Sequence, residues 1–183
     1  MLTGRGRRRS GPGRRQQRND RRVILYFLRH GRAGSPRSTH DEARELTEHG
    51  AAALRAAAPL WRRLNLRPDR VLSSPLARAV QTAEILCEVT GGVPITDDRL
   101  RPGASWGDLA RAMAAHPDAR RVMFVGHEPD LSSTIAHLTG AASVRMRTGG
   151  MACVEFYGVP EPGGGEIAWL LDPDLYTDDD EGD

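Results

Sequence analysis

The chain has 183 residues and a mass of 20.0 kDa, 39% of it hydrophobic and 27% charged; that length fits one domain with ragged ends, and that composition excludes wholesale disorder and a membrane-embedded protein. The net charge of +2 conceals a segregation: nine arginines against the single Asp20 give the first 22 residues +8, the remainder sums to −6, and residues 172–183 alone supply −7. The middle is therefore near neutral, which argues against a nucleic-acid-binding surface spread over the fold.

Residues 1–22 are rich in Arg, Gly, Ser, Pro and Gln and have nothing to bury, so they read as a disordered tail. Arg21 and Arg22 ahead of an apolar run imitate a twin-arginine leader. The run ends at Arg29, short of the roughly 7–15 residues of a secretory core and far short of the roughly 20 of a bilayer span. The expectation is a cytoplasmic protein with no membrane partner. Val23-Ile-Leu-Tyr-Phe-Leu28 is continuous, β-branched and aromatic, as in a strand covered on both faces of a parallel sheet. After a Gly, Ser and Pro loop, Thr47 is placed to cap a helix predicted to run unbroken to about Leu64. Val71 and Leu72 mark a short second strand, and Pro75 opens a helix predicted to end near Gly91 and Gly92.

Residues 93–96 read as another short strand. Ser105 caps a helix holding Leu109, Ala112 and Met113, and Arg121-Val-Met-Phe-Val125 is a second buried strand closed by Gly126. A helix follows from about Pro129 to Leu138. Two alternating segments, 151–157 and 166–171, then read as closing strands joined by a Pro and Gly turn. This alternation predicts an α/β domain over residues 23–172: three α/β/α layers around a mostly parallel sheet, with residues 173–183 as an acidic tail. Cys87 and Cys153 lack metal-type spacing and read as small apolar residues in a reducing compartment.

Open α/β sheets gather ligands at the carboxyl ends of their strands. Three of those ends carry unusual residues: Arg29-His30-Gly31, Ser73-Ser-Pro-Leu-Ala-Arg78 and Gly126-His127-Glu-Pro129. Arg-His-Gly alone would occur in about one shuffled copy in ten of this composition, so the weight lies in three such segments meeting at one rim. Arg is the side chain that meets two phosphate oxygens with one planar fork, and nearby positive charge keeps a histidine lone pair free near neutral pH. A metal is disfavoured, because His30 and His127 are each joined by Arg, which repels a cation. A histidine in such a turn also has a duller reading, as a hydrogen-bonded and inert residue.

LRHG at 28–31, LSSPLARAVQTAE at 72–84 and VGHEPDL at 125–131 together resemble the histidine phosphatase superfamily, which includes cofactor-dependent phosphoglycerate mutase. The resemblance spans about residues 23–157. LTEHG at 46–50, LRPG at 100–103 and TGG at 148–150 are most similar to the small SixA-type phosphohistidine phosphatases. It implies a phosphoglycerate mutase-like fold without a large cap insertion, with His30 as nucleophile and Arg29, Arg78 and His127 holding the phosphoryl group. Gly31 and Glu128 are expected to contact substrate, and no metal or cofactor is expected.

Larger members of the family protonate the leaving oxygen with a carboxylic acid, and no segment here resembles that acid's motif. Asp97, Asp98, Asp108 and Glu128 are the nearest candidates. Absence of an acid suits a phosphoramidate, whose leaving group departs easily. Arg32, where small relatives often carry an acidic residue, adds positive charge at the rim. The first reading is thus a metal-independent phosphatase acting on phosphohistidine in a protein. A phosphomonoesterase acting on a small phosphorylated metabolite is the second, and a non-catalytic phospho-ligand binding module the third.

Overall fold

The structure, a computed structural model, describes residues 22–35 and 41–176. Its elements in chain order begin with β1 (Arg22–Arg29), α1 (Glu48–Ala56), α2 (Ala58–Arg63), β2 (Arg70–Ser73) and α3 (Ala77–Thr90). They continue with β3 (Ile95–Thr96), α4 (Trp106–Ala114), β4 (Arg121–Gly126), α5 (Asp130–Thr139), β5 (Met151–Tyr157) and β6 (Glu166–Leu171). One six-stranded sheet has the order β3-β2-β4-β1-β5-β6. The first four positions run parallel, whereas β5 and β6 form an antiparallel margin. No helix among the described residues is long and apolar enough to cross a membrane.

The continuous apolar run of β1 follows from its position. It lies between β4 and β5, with Leu28 paired to Val125 on one side and Met151 on the other, and both its faces are covered. Leu25 and Phe27 pack into a core with Phe124, Val154, Leu109 of α4 and Ile135 of α5. Tyr26 and Leu28, one residue out of phase, pack into the opposite core with Leu54, Trp61 and Leu86 from α1, α2 and α3. Two cores on either side of one sheet make the three layers expected from the sequence. Cys153 is buried in the second core, and burial, with Glu155 nearby, pushes its thiol up to about 12, so it behaves as an apolar residue.

Three boundaries differ from expectation. The helix predicted up to Leu64 is two helices, because Pro59 has no N–H to return to the carbonyl one turn back, and Ala57 instead closes a tighter bond to Leu54 O at 3.2 Å. Arg22, assigned by composition to the tail, is the first residue of β1 and is ion-paired with Glu155. The supposed acidic tail also begins later than residue 173. A 3-10 turn over Pro173–Leu175 folds back onto the domain, Arg147 pairs with Asp172 and Asp174, and buried Tyr176 donates its hydroxyl to Gly149 O at 2.9 Å. The expectations for residues 1–21 and 177–183 lie outside the described residues.

The loop after β1 is fixed by helix α1. Thr47 caps that helix by accepting from Gly50 N at 2.9 Å, and the backbone of Arg32 lies against Gly50 so closely that a Cβ there would sit 2.2 Å from Arg32 O. In a helix, alanine is favoured over glycine by about 1 kcal/mol. The clash with backbone, which cannot swing aside, outweighs that gain, since overpacking costs roughly 1–3 kcal/mol or more. Gly50→Ala is therefore expected to lower unfolding free energy in urea by about 2 kcal/mol. Gly107→Ala in α4, where the nearest atoms would lie at 3.6 Å, is expected to raise it by several tenths. A stabilised Gly50→Ala protein would contradict this packing.

Candidate active site

The parallel strands β1, β2 and β4 end side by side, and their carboxyl ends deliver Arg29-His30-Gly31, Ser73-Ser74 and Gly126-His127 to one rim. The backbone of His30 is held on both sides of the strand end: its N–H donates to Gly126 O at 3.1 Å, and its carbonyl accepts from Gly149 N at 3.1 Å. The rings of His30 and His127 lie 5.2 Å apart between centroids, tilted by 57°. Arg78, from the first turn of α3, is buried and reaches the same place, its Nε donating to His30 Nε2 at 3.3 Å.

That contact and one other define the state of the His30 ring. Nδ1 lies 2.8 Å from Gly31 O, and a carbonyl only accepts, so Nδ1 carries the proton. Nε2 is then the unprotonated nitrogen, with its lone pair on the side of the Arg78 guanidinium. Burial is the largest influence on this ring. The Gly31 carbonyl works the other way, but Arg78, Arg29 and Arg44 add like charge, and the imidazolium is disfavoured to the extent that its pKa falls to about 4. From an ordinary value of 6.5, such a shift corresponds to about 3 kcal/mol against protonation. His127 is lowered to about 3, by burial first, then by His30 and Arg78, with Asp41 partly opposing and Arg29 adding to the effect.

Around the two rings lie cationic and buried polar groups. Arg29 is anchored by a bond from one terminal nitrogen to Met146 O at 2.9 Å, while its buried Nε has no partner among the described residues. His127 Nε2 lies 2.8 Å from the hydroxyl of Ser74, and its buried Nδ1 likewise has no partner among the described residues. A buried polar group left in that state costs about 1–3 kcal/mol. Two such groups beside the guanidinium of Arg78 suit an anion with several oxygens.

Arg29, His30, Arg78 and His127 are thus brought together as the sequence suggested. Gly31 and Glu128 have different employment from the one expected. The Gly31 N–H, a candidate donor to substrate, is already given to Thr82 Oγ1 at 3.0 Å, and its carbonyl holds His30. It must be glycine because a Cβ would stand 2.7 Å from Leu54 Cδ1 and 3.1 Å from Leu46. The Glu128 carboxylate turns to the start of α5, accepting from Ser132 Oγ at 2.6 Å and Ser132 N at 3.2 Å, so it caps that helix. The other acid candidates are similarly engaged: Asp97 with Arg99, Asp98 with Arg101, and Asp108 with Ser105 in a capping box.

Sequence reasoning missed three residues that organise this site. Thr82 lies one helical turn beyond Arg78, accepts from Gly31 N and donates to Arg78 O at 2.6 Å, tying the loop after β1 to helix α3. Its spacing of four from Arg78 was the available signal. Ser74, fully buried, is the partner of His127. Asp41 accepts from the two terminal nitrogens of Arg78, through its carbonyl at 2.7 Å and its carboxylate at 3.1 Å. Although burial acts in the other direction, Arg78 and Arg44 hold the Asp41 carboxyl below its usual range. Nothing in the polar stretch around Asp41 distinguishes it in the sequence.

The depressed histidine values carry a sign. Between about pH 4 and 6.5 the unfolded chain binds protons at these rings that the folded chain refuses, so stability is fully present above pH 6.5 and is lost as pH falls toward 4. Imidazole NMR on the free enzyme is expected to show His30 still neutral and protonated on Nδ1 at pH 5.5, with denaturant midpoints falling over the same window. A His30 midpoint near 6.5 would contradict the electrostatics described.

Comparison with known proteins identifies the family and the fold. The family model of the histidine phosphatase superfamily (branch 1) matches residues 25–112. An uncharacterized protein of Picosynechococcus sp. (strain ATCC 27264 / PCC 7002 / PR-6) is 42% identical over 113 residues, covering 58% of this chain and 67% of that protein. Among solved structures, one assigned as phosphohistidine phosphatase SixA from Nakamurella multipartitia superposes with a TM-score of 0.72 at 26% identity, over 83% of this chain and 96% of that one. The protein histidine phosphatase SixA complexed with tungstate superposes with a TM-score of 0.73 at 24% identity, over 85% and 100%. The chain belongs to the histidine phosphatase superfamily, where it is a SixA-like phosphatase.

Proposed function

We propose that the chain is a metal-independent phosphohistidine phosphatase that works through a phosphohistidine of its own on His30. The observation that carries the reading is the Nδ1–H bond to Gly31 O, which leaves Nε2 of a neutral ring as the attacking atom. The Nε2 lone pair attacks phosphorus in line, the N–P bond forms, and the bond from phosphorus to the substrate's nitrogen breaks. As His30 gains positive character, Gly31 O accepts from the more acidic Nδ1–H. Arg78 turns its donors from Nε2 to the phosphoryl oxygens, with Arg29 and His127 supplying the remaining contacts. Water then displaces the phosphoryl group from His30, releasing inorganic phosphate and restoring the neutral ring.

The four carboxyl candidates for a proton donor are all held by other groups, which favours a substrate that needs no donor. A phosphoimidazole protonated on its far ring nitrogen leaves as neutral imidazole, so no proton has to arrive at the breaking bond. An alkyl phosphate would have to expel an alkoxide. Proton delivery contributes roughly 10²–10⁴-fold where a general acid is present, and its absence penalises esters by that factor. The test is kcat/KM for a phosphohistidine peptide and for phosphoramidate against a panel of sugar phosphates and nucleotides. Phosphoramidates are expected to be faster by two or more orders of magnitude, and His30→Ala is expected to abolish turnover. A metabolite ester that outpaces them by a similar margin would replace this substrate class with a small phosphomonoester.

A further inference from the structure

Beside the histidine pair lies a cleft of about 700 Å³ whose wall includes Arg29 but not His30, Arg78 or His127. It adjoins the reaction centre directly, because Arg29 and Gly31, the two neighbours of His30, form part of its wall. Its floor is Leu54 of α1 with buried Tyr176, and its rim carries Arg32, His49, Arg145 and Arg147.

The charges on that rim are unequal in their pairing. Arg147 is neutralised by Asp172 and Asp174. Arg32 and Arg145 are exposed and enter no ion pair or side-chain hydrogen bond among the described residues, and Asp174 is the only carboxylate in the wall. The backbone of Arg32 is fixed, for its carbonyl is bound by Thr47 N at 2.9 Å and lies against Gly50. Two guanidinium groups with no ion-pair partner among the described residues, both in the wall that Gly31 shares, form a positive field next to the place where the phosphoryl group reacts. A phosphoryl group is too small to fill such a volume, which is of the size that holds several side chains or a small molecule. The rim residues are exposed rather than enclosing, which suits the surface of a polypeptide better than a small molecule sealed from water.

We propose that this cleft reads acidic side chains flanking the phosphohistidine of a substrate protein, with Arg32 and Arg145 as the specificity-determining residues. The inference rests on the phosphohistidine reading and adds to it the chemistry of the sequence around the target. Two exposed ion pairs amount to about a tenfold preference at low ionic strength, weakening with salt.

The experiment uses the full chain and three substrates: a phosphohistidine peptide with Glu on both sides of the histidine, the same peptide with Gln at those positions, and phosphoramidate. For the unaltered enzyme kcat/KM is expected to be about tenfold higher for the Glu peptide, and the ratio is expected to shrink as salt is raised. In the Arg32→Gln, Arg145→Gln double variant the ratio falls to about one, while phosphoramidate turnover is unchanged. Equal rates on the two peptides, or a preference that survives in the double variant, would overturn the assignment of the cleft. Should phosphoramidate turn over but neither peptide, the cleft assignment falls and the histidine chemistry stands. Should none of the three turn over, the phosphohistidine reading fails first and this inference with it.

Discussion

The position of Gly31 constrains the rest of the site. It has no room for a side chain between Leu54 and Leu46, its N–H is committed to Thr82, and its carbonyl receives Nδ1–H of the residue before it. One residue thereby couples helix α1, helix α3 and the tautomer of His30. The sheet supplies the remaining constraint, since β1 is hydrogen-bonded on both edges and His30 is held through its backbone to the ends of β4 and of the loop before β5. A ring fixed in this way keeps its orientation and tautomer, so that only the Arg78 donor has to leave Nε2 to free the lone pair.

Electrostatics and packing act on that ring in the same direction. Burial and the like charges of Arg78, Arg29 and Arg44 both favour neutral His30, and a neutral ring is what nucleophilic attack requires. The arginines that disfavour the imidazolium are also the groups an incoming phosphoryl dianion would neutralise. Asp41 holds the far end of Arg78 while Nε faces His30, so the guanidinium is fixed from both ends.

Much of this was legible in the residues. Continuous apolar runs at 23–28 and 122–125 marked the two central strands, because only strands covered on both faces carry them, and β5 and β6 showed the alternation of closing strands. The segments that hold Arg29, His30, Arg78 and His127 stood out because each follows a strand, and the family resemblance picked the four residues out of them. What could not be read was pairing. Glu128 looks like an acid until Ser132 is seen to hold it, and Gly31 looks like a donor until Thr82 is seen to take its N–H. The end of the domain was misjudged for a related reason. Residues 173–176 look acidic and exposed in composition, but Arg147 and the carbonyl of Gly149 receive their side chains. Long-range partners of this kind leave no periodic trace in a sequence.

The central claim is that the phosphoryl group passes through Nε2 of His30. The most direct measurement is to incubate the enzyme with labelled phosphoramidate, quench in alkali, digest, and map the label together with the ring nitrogen that carries it. Phosphate stable in alkali, lost in acid and attached to Nε2 of His30 is the predicted result. Label on another residue, or full turnover with no covalent phosphate at any time after mixing, would contradict the account.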